Sequence, residues 1–74
     1  MRIPASQKTL RCISRVYDFR ILEPISQIDL AKALGIGRKA LADIEKGVAQ
    51  PSLYTAFRIA EYFNTPIEKI FFFK

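Results

Sequence analysis

The sequence predicts an all-α fold in which one domain, residues 1–74, contains five helices. Three observations support this prediction. Apolar residues recur at intervals of three and four along most of the chain, which is the spacing that lines one face of a helix. Serine, threonine and glycine stand at the boundaries of these segments, where helix caps are expected. A chain of 74 residues is long enough for one modest core.

The first helix is predicted over about residues 8–22, which carry one stripe at helical spacing. The stripe contains Cys12, Ile13, Val16, Phe19 and Arg20. Pro24 ends the helix, because a proline ring disfavours helical geometry at the preceding residue. On this stripe Cys12 is expected to be a small buried core residue rather than a redox sensor.

A second helix follows, with Ser26 as its N-cap and Asp29 three positions later in an approximate capping box. It is predicted to run to about Leu34. Gly35 comes directly after the last apolar position and can adopt the positive φ of a tight turn. This turn joins the second helix closely to the third, and residues 26–47 form a two-helix unit.

The third helix is predicted over about residues 38–46, with Leu41 and Ile44 facing the core and Gly47 ending it. Its outward side is basic. The residues concerned are Arg38, Lys39 and Lys46. A short basic helix that follows another helix after a tight turn is one way in which proteins enter the major groove of DNA.

The fourth helix is predicted to begin after Ser52, which suits an N-cap, and to end at Asn64. One apolar side is assigned to it. The residues of this side are Leu53, Ala56, Phe57, Ala60 and Phe63.

A brief fifth helix is predicted from three consecutive signals. Thr65 suits the N-cap, Pro66 suits the first helical position, and Glu68 completes a capping box. The apolar side of this helix contains Ile67 and Ile70, and Phe71 is a further candidate for it. Residues 70–73 are the one segment for which a strand is an alternative.

The charge balance favours an anionic partner. Twelve Lys and Arg side chains against seven Asp and Glu give a net charge of +5, which suits nucleic acid. An anionic membrane surface is the competing interpretation, although no apolar run approaches the roughly 20 residues that span a bilayer. One cysteine and no histidine exclude an internal disulfide and the usual zinc ligand sets. We therefore expect a cytoplasmic protein with no metal, no cofactor and no membrane association.

Several of these elements together resemble the phage repressor and Cro-type helix-turn-helix family, also called XRE-like or lambda-repressor-like, over roughly residues 10–71. The residues that carry the resemblance are Gln27, Leu30, Ala31, Gly35, Ile36, Leu41, Ile44, Glu45, Lys46, Gly47, Pro51, Ser52 and Leu53. The resemblance implies a compact five-helix domain whose second and third helices form the helix-turn-helix. It also implies a regulator that reads a palindromic operator as a dimer.

By resemblance, the third helix reads bases from four positions. They are Arg38, Lys39, Ala42 and Asp43. Arg38 and Lys39 suit the O6 and N7 acceptors of guanine, although either could instead clamp a phosphate. Asp43 could accept a hydrogen bond from cytosine, or pair with Lys39 or Lys46 on its own helix. Ala42 could touch a thymine methyl or simply favour the helix.

The resemblance also assigns phosphate contacts and one structural ion pair. The phosphate-binding residues are Gln27, Gly37, Lys46, Gln50 and Ser52. Gln27 is also expected to buttress the third helix from the first turn of the second. Gly37 stands where family members usually have serine or threonine, so a backbone N–H replaces a hydroxyl as the phosphate donor there. Arg20 of the first helix is expected to pair with Glu45 of the third and to fix their relative orientation.

The C-terminal residues 70–74 form an apolar tail that contains Ile70, Phe71, Phe72 and Phe73. Helical spacing lets a monomer bury one or two of these side chains, so a two-fold homodimer through the tail is expected. The alternative is that Phe72 and Phe73 fold back on the monomer. Tyr54 and Tyr62 are candidates for additional interface contacts.

The leading hypothesis is a sequence-specific transcriptional regulator, most simply a dimeric repressor, that binds double-stranded DNA. The alternative is a protein-interaction module, such as an antitoxin or a prophage partner protein, that uses the scaffold to present its Phe-rich tail. An enzyme finds no support, because the sequence offers no histidine, one cysteine and no phosphate-binding glycine loop.

Overall fold

A computed structural model of the chain describes residues 12–73, which form five helices and one small sheet. In chain order the elements are β1 (Cys12–Ser14), α1 (Val16–Leu22), α2 (Gln27–Leu34), α3 (Arg38–Lys46), α4 (Leu53–Tyr62), α5 (Ile67–Ile70) and β2 (Phe71–Phe73). The predicted five-helix, mainly α-helical class is confirmed. The sheet is a minor addition to it.

The first helix differs from the prediction. It begins at Val16 rather than near residue 8, because Cys12–Ser14 is extended and pairs antiparallel with Phe71–Phe73. In the register of this sheet, Ile13 lies opposite the middle residue of β2. Residues 8–11 of the predicted helix lie outside the described part of the chain. Residues 71–73 of the tail therefore form a strand, in agreement with the alternative prediction for this segment.

Two hydrogen bonds mark the change from strand to helix. The Arg15 N–H donates to the carbonyl oxygen of Ile70 at 2.8 Å, and the Val16 N–H donates to Ser14 Oγ at 3.3 Å. Cys12 is consequently a half-buried strand residue rather than a buried helical one. The prediction fails here because a segment of three residues is too short for its apolar spacing to distinguish a helix from a strand. The strand also depends on pairing with residues from the other end of the chain.

The predictions for α2 and α3 are confirmed. Ser26 Oγ accepts the Asp29 N–H at 3.0 Å and caps α2. Gly35 and Gly47 end α2 and α3 with φ angles of 73° and 76°. Since a Cβ atom is strained in this left-handed region and glycine has none, glycine suits both positions.

The N-cap of α4 is confirmed, but its predicted apolar side is wrong at two positions. Ser52 Oγ accepts the Thr55 N–H at 3.1 Å. Leu53 and Phe57 are 71% and 55% exposed. The buried residues of this segment are Ala56, Ile59, Ala60 and Phe63. Their spacing centres the buried stripe on the side of Ile59, which turns Leu53 and Phe57 toward solvent.

The helix α5 begins one position later than predicted. Pro66 occupies the N-cap and Ile67 is the first helical residue. The Thr65 hydroxyl donates to the carbonyl oxygen of Phe63 at 2.9 Å and does not cap the helix. Threonine hydroxyls often bond locally to a preceding turn, and this alternative prevails here.

Each helix contributes one fully buried apolar side chain to a single core. These side chains are Val16, Leu30, Leu41, Ile59 and Ile70. The assignment of Ile70 to a dimer interface is therefore wrong, because its side chain lies inside the protomer. Phe71 packs against the same core, whereas Phe73 is 65% exposed. Within residues 12–73, the helices are too short or too polar to cross a lipid bilayer.

Candidate nucleic-acid interface

The candidate interface is the exposed side of α3. Leu41 and Ile44 are buried beneath it, whereas Arg38 and Lys39 are exposed. The helix packs against α2, on which Ala31 is buried. A methyl side chain at this position lets two helices approach closely, and a larger one would force them apart. The packing of α2 on α3 therefore sets the direction in which the basic side of α3 faces.

Arg20 and Glu45 connect α1 to α3. Arg20 Nε lies 2.7 Å from Glu45 Oε2, and their side chains are only 15% and 5% exposed. A second contact joins Arg20 Nη2 to Glu45 Oε1 at 3.3 Å, so the guanidinium grips both carboxylate oxygens. Arg20 Nη1 also donates to the carbonyl oxygen of Ile25 at 3.2 Å. This fork holds one end of α3 at a fixed orientation to α1.

Gln27, the first residue of α2, joins this ion pair to the exposed side of α3. Its Nε2 donates to Glu45 Oε1 at 3.0 Å. Its Oε1 accepts a hydrogen bond from Arg38 Nη1 at 3.2 Å. The structure thus brings together two predicted base-reading or phosphate-binding residues, Arg38 and Gln27, and the ion pair of Arg20 and Glu45.

Lys39 and Asp43 form a separate pair. Lys39 Nζ lies 3.3 Å from Asp43 Oδ2, one helical turn away, and the side chains are 88% and 30% exposed. This contact supports the interpretation of Asp43 as a partner of Lys39 on the same helix. Ala42, the remaining predicted base-reading residue, is half-buried, so part of its methyl group faces solvent.

The predicted phosphate-binding residues flank α3. Gly37 is the N-cap of α3 and provides no side-chain hydrogen bond, and Lys46 and Gln50 are exposed at the other end. The Ser52 hydroxyl is committed to α4, because it accepts the Thr55 N–H and donates to Thr55 Oγ1 at 2.9 Å. A phosphate contact at Ser52 would have to use its backbone N–H.

A helix-turn-helix family model matches residues 16–70 of the chain. The chain belongs to the helix-turn-helix family. It is of the phage repressor and Cro type, as its sequence indicates. The matched range contains all five helices and neither strand of the sheet.

Three relatives match this helix-turn-helix protein over about three quarters or more of its length. An HTH-type transcriptional regulator of Methanocaldococcus jannaschii is 46% identical over 56 residues, which cover 76% of this chain and 85% of the relative. One of Archaeoglobus fulgidus is 42% identical over 60 residues, covering 81% and 84%. The cryptic phage CTXphi transcriptional repressor RstR of Vibrio cholerae is 28% identical over 57 residues, covering 77% of this chain and 51% of RstR.

The helix-turn-helix unit has a further support that the sequence did not indicate. Arg58 of α4 donates through Nη2 to the carbonyl oxygen of Ala33 at 3.1 Å, near the end of α2, and through Nη1 to Tyr54 Oη at 3.0 Å. A cation beside the last carbonyl groups of a helix also opposes the negative end of the helix dipole. The two helices are far apart in sequence, so no local pattern could reveal this contact.

Proposed function

We propose that this chain is a sequence-specific, DNA-binding transcriptional regulator that inserts α3 into the major groove. The observation that carries the proposal is the hydrogen bond that Arg38, on the exposed basic side of α3, donates to Gln27, which in turn donates to Glu45. Side chains held before binding lose little conformational entropy when they meet the bases. The net charge of +5 would raise the rate of association with the negatively charged DNA. The proposal places the protein in the cytoplasm with the DNA.

Arg38 and Lys39 are the proposed base readers. Both donate hydrogen bonds that suit O6 and N7 of guanine, and we expect guanine in each half-site. Asp43 holds Lys39 in the structure, so its proposed role combines positioning of Lys39 with acceptance from a cytosine amino group. Ala42 would contribute an apolar contact to a thymine methyl.

The proposed phosphate contacts lie on both sides of the groove. Gln27 keeps a second Nε2 hydrogen after donating to Glu45, and this hydrogen is available to a phosphate. Gly37 would donate its backbone N–H, and Lys46 and Gln50 would contact the far strand. These contacts fix the register of the protein on DNA and carry no sequence information.

The proposal includes a dimeric repressor at a palindromic operator. Two recognition helices must then lie about 34 Å apart to enter successive major grooves. Phe72 and Phe73 of β2, together with Tyr54 and Tyr62 of α4, supply apolar surface for the second protomer. The similarity to the repressor RstR supports repression rather than activation.

A second candidate function is a protein-interaction module, such as an antitoxin or prophage partner protein. The observation that favours it is the apolar surface of α4, where Leu53, Tyr54 and Phe57 are exposed. Exposed apolar clusters are typical of protein interaction sites. Under this hypothesis, alanine at Arg38 and Lys39 would leave partner binding unchanged.

Selection of bound duplexes from a random DNA pool tests the proposal. The selected duplex is then titrated against a scrambled duplex at two salt concentrations. We expect an enriched palindrome with guanine in both half-sites, and an affinity whose logarithm falls by several units per unit of log salt. Weak, salt-dependent binding to every sequence would contradict the proposal and favour the second candidate.

A further inference from the structure

Four side chains form one continuous chain of hydrogen bonds from α1 to the exposed side of α3. Arg20 donates to Glu45 at 2.7 Å, Gln27 donates to Glu45 at 3.0 Å, and Arg38 donates to Gln27 at 3.2 Å. The chain starts at the Arg20 guanidinium, passes through the Glu45 carboxylate, which is only 5% exposed, and ends at a proposed base reader. It joins a residue remote from DNA to one that would contact DNA.

The orientation of the Gln27 amide within this chain has a single solution. Glu45 can only accept hydrogen bonds, and the Arg38 guanidinium can only donate them. The amide must therefore turn its Nε2 toward Glu45 and its Oε1 toward Arg38. The opposite orientation would place its oxygen against a carboxylate and its NH2 group against a guanidinium.

The contact to Gln27 leaves Arg38 able to read a base. A guanidinium has five N–H donors, and Gln27 uses one of them. A bidentate contact to guanine O6 and N7 needs two. Arg38 can therefore keep its bond to Gln27 while it contacts a guanine.

We propose that Glu45 is a positioning residue for base specificity, because it orients Gln27 and thereby aims the guanidinium of Arg38. This inference rests on the proposed function and assigns Glu45 a role beyond its ion pair with Arg20. Glu45 is suited to this role because the fork from Arg20 fixes both of its oxygens. A carboxylate held in this way is a rigid acceptor for Gln27.

Lys39 provides an internal reference for the proposal. Its ammonium group is highly exposed and pairs with Asp43 on its own helix. The chain of hydrogen bonds that includes Glu45 does not include this pair. A change in Glu45 or Gln27 should therefore relax the base preference at the position read by Arg38 and preserve it at the position read by Lys39.

The first experiment measures affinity for duplexes changed one base pair at a time. Gln27→Met is compared with the wild type, with Arg38→Ala and with the double variant, and Gln50→Met is the matched control. We expect Gln27→Met to reduce the preference at the Arg38 position by about tenfold and to cause no further reduction when Arg38 is already alanine. Gln50→Met should weaken all duplexes alike. An equal loss on all duplexes for Gln27→Met would overturn the proposal.

The role of Glu45 itself is tested by removing the ion pair as a unit. Replacement of a buried ion pair by apolar residues of similar volume often leaves stability unchanged, so Arg20→Met/Glu45→Met is expected to fold. It should reproduce the specificity loss of Gln27→Met and retain the preference at the Lys39 position. A folded double variant with wild-type preference at both positions would refute the role of Glu45.

Side-chain dynamics separate this inference from the proposed function. The NMR order parameter of the Arg38 Nε–H is measured without DNA in the wild type, Gln27→Met and Gln50→Met. We expect an ordered guanidinium in the wild type and Gln50→Met, and a mobile one in Gln27→Met. Equal mobility of the Arg38 side chain in all three proteins would overturn the inference, whatever the result of the DNA-binding measurements. A wild type with an ordered Arg38 but no base preference would refute the proposed function and the specificity role, and would leave the positioning of Arg38 in place.

Discussion

Two adjacent helices of similar length present opposite chemistry to solvent. The exposed side of α3 carries Arg38, Lys39 and Lys46, whereas α4 exposes Leu53, Tyr54 and Phe57. Both helices bury an apolar stripe in the same core. The requirements of folding therefore do not explain the difference between their outer sides.

The two sides also differ in how they are held. Arg38 is joined through Gln27 to a buried ion pair, so the exposed side of α3 rests on contacts from α1 and α2. On α4, Tyr54 is held by Arg58, itself bound to the end of α2. The ion pair that supports the charged side has the least exposed side chains of the ion pairs among the described residues. This is what directional hydrogen bonding to DNA would require.

The largest effect is expected from removing the support beneath α3. Glu45→Ala should lower the free energy of unfolding by about 3 kcal/mol, because the largely buried Arg20 guanidinium loses its carboxylate partner and keeps only its hydrogen bond to the carbonyl oxygen of Ile25. Chemical denaturation checks this. The matched control is Asp18→Ala, which breaks the exposed pair of Arg15 and Asp18 at 3.6 Å and should cost less than about 1 kcal/mol. Similar losses in both variants would contradict the assignment of Arg20 and Glu45 as the support.

A change at the contact between α2 and α3 should affect both stability and DNA binding. Ala31→Leu is expected to cost about 1–3 kcal/mol through overpacking and to weaken DNA binding further by tilting α3. Ala33→Leu, at an exposed position of the same helix, is the control and should change neither property. Thermal unfolding and a DNA titration measure the two effects. Unchanged DNA affinity in a folded Ala31→Leu variant would contradict the proposal that the packing of α2 on α3 controls DNA recognition.

Two phenylalanines distinguish the apolar surfaces. Phe73→Asp should raise the dimer dissociation constant by on the order of tenfold if β2 forms the interface, while Phe57→Asp on α4 should leave it unchanged. Both side chains are exposed, so neither variant should unfold the monomer. Sedimentation equilibrium measures the dissociation constants. The reverse pattern would move the interface from the tail to α4.

The smallest effect concerns Cys12, which belongs to β1 and to neither helix. Burial raises the pKa of its thiol above the ordinary value, so less thiolate is present at a given pH than in an unfolded chain. Alkylation by iodoacetamide should therefore be slower in the folded protein and should accelerate only at higher pH. The denatured protein is the control, and equal rates in both states would show that Cys12 is not shielded.

The elements that depend on local signals could be predicted from sequence. Ser26, Gly35 and Gly47 mark boundaries through their own backbone and side-chain chemistry, so α2 and α3 were placed correctly. The strand at Cys12–Ser14 could not, because it depends on pairing with the distant residues Phe71–Phe73. Nearby residues allowed either helix or strand.

The candidate site divides in the same way. The basic outer side of α3 follows from helical spacing, and the resemblance implied both the ion pair and a supporting role for Gln27. The contact from Gln27 to Glu45 was not predictable, because it requires the relative positions of two helices. The burial of Ile70 likewise depends on where α5 lies in the core. Tertiary packing therefore decides which candidate side chains act together.

The most direct test of the central claim is a titration of Arg38→Ala and Lys46→Ala against the selected and the scrambled duplex. We predict that Arg38→Ala lowers the ratio of the two affinities by about fivefold to a hundredfold. Lys46→Ala should weaken both duplexes equally and reduce the salt slope by about one unit. Equal losses on both duplexes for both variants would contradict the claim that α3 reads DNA sequence.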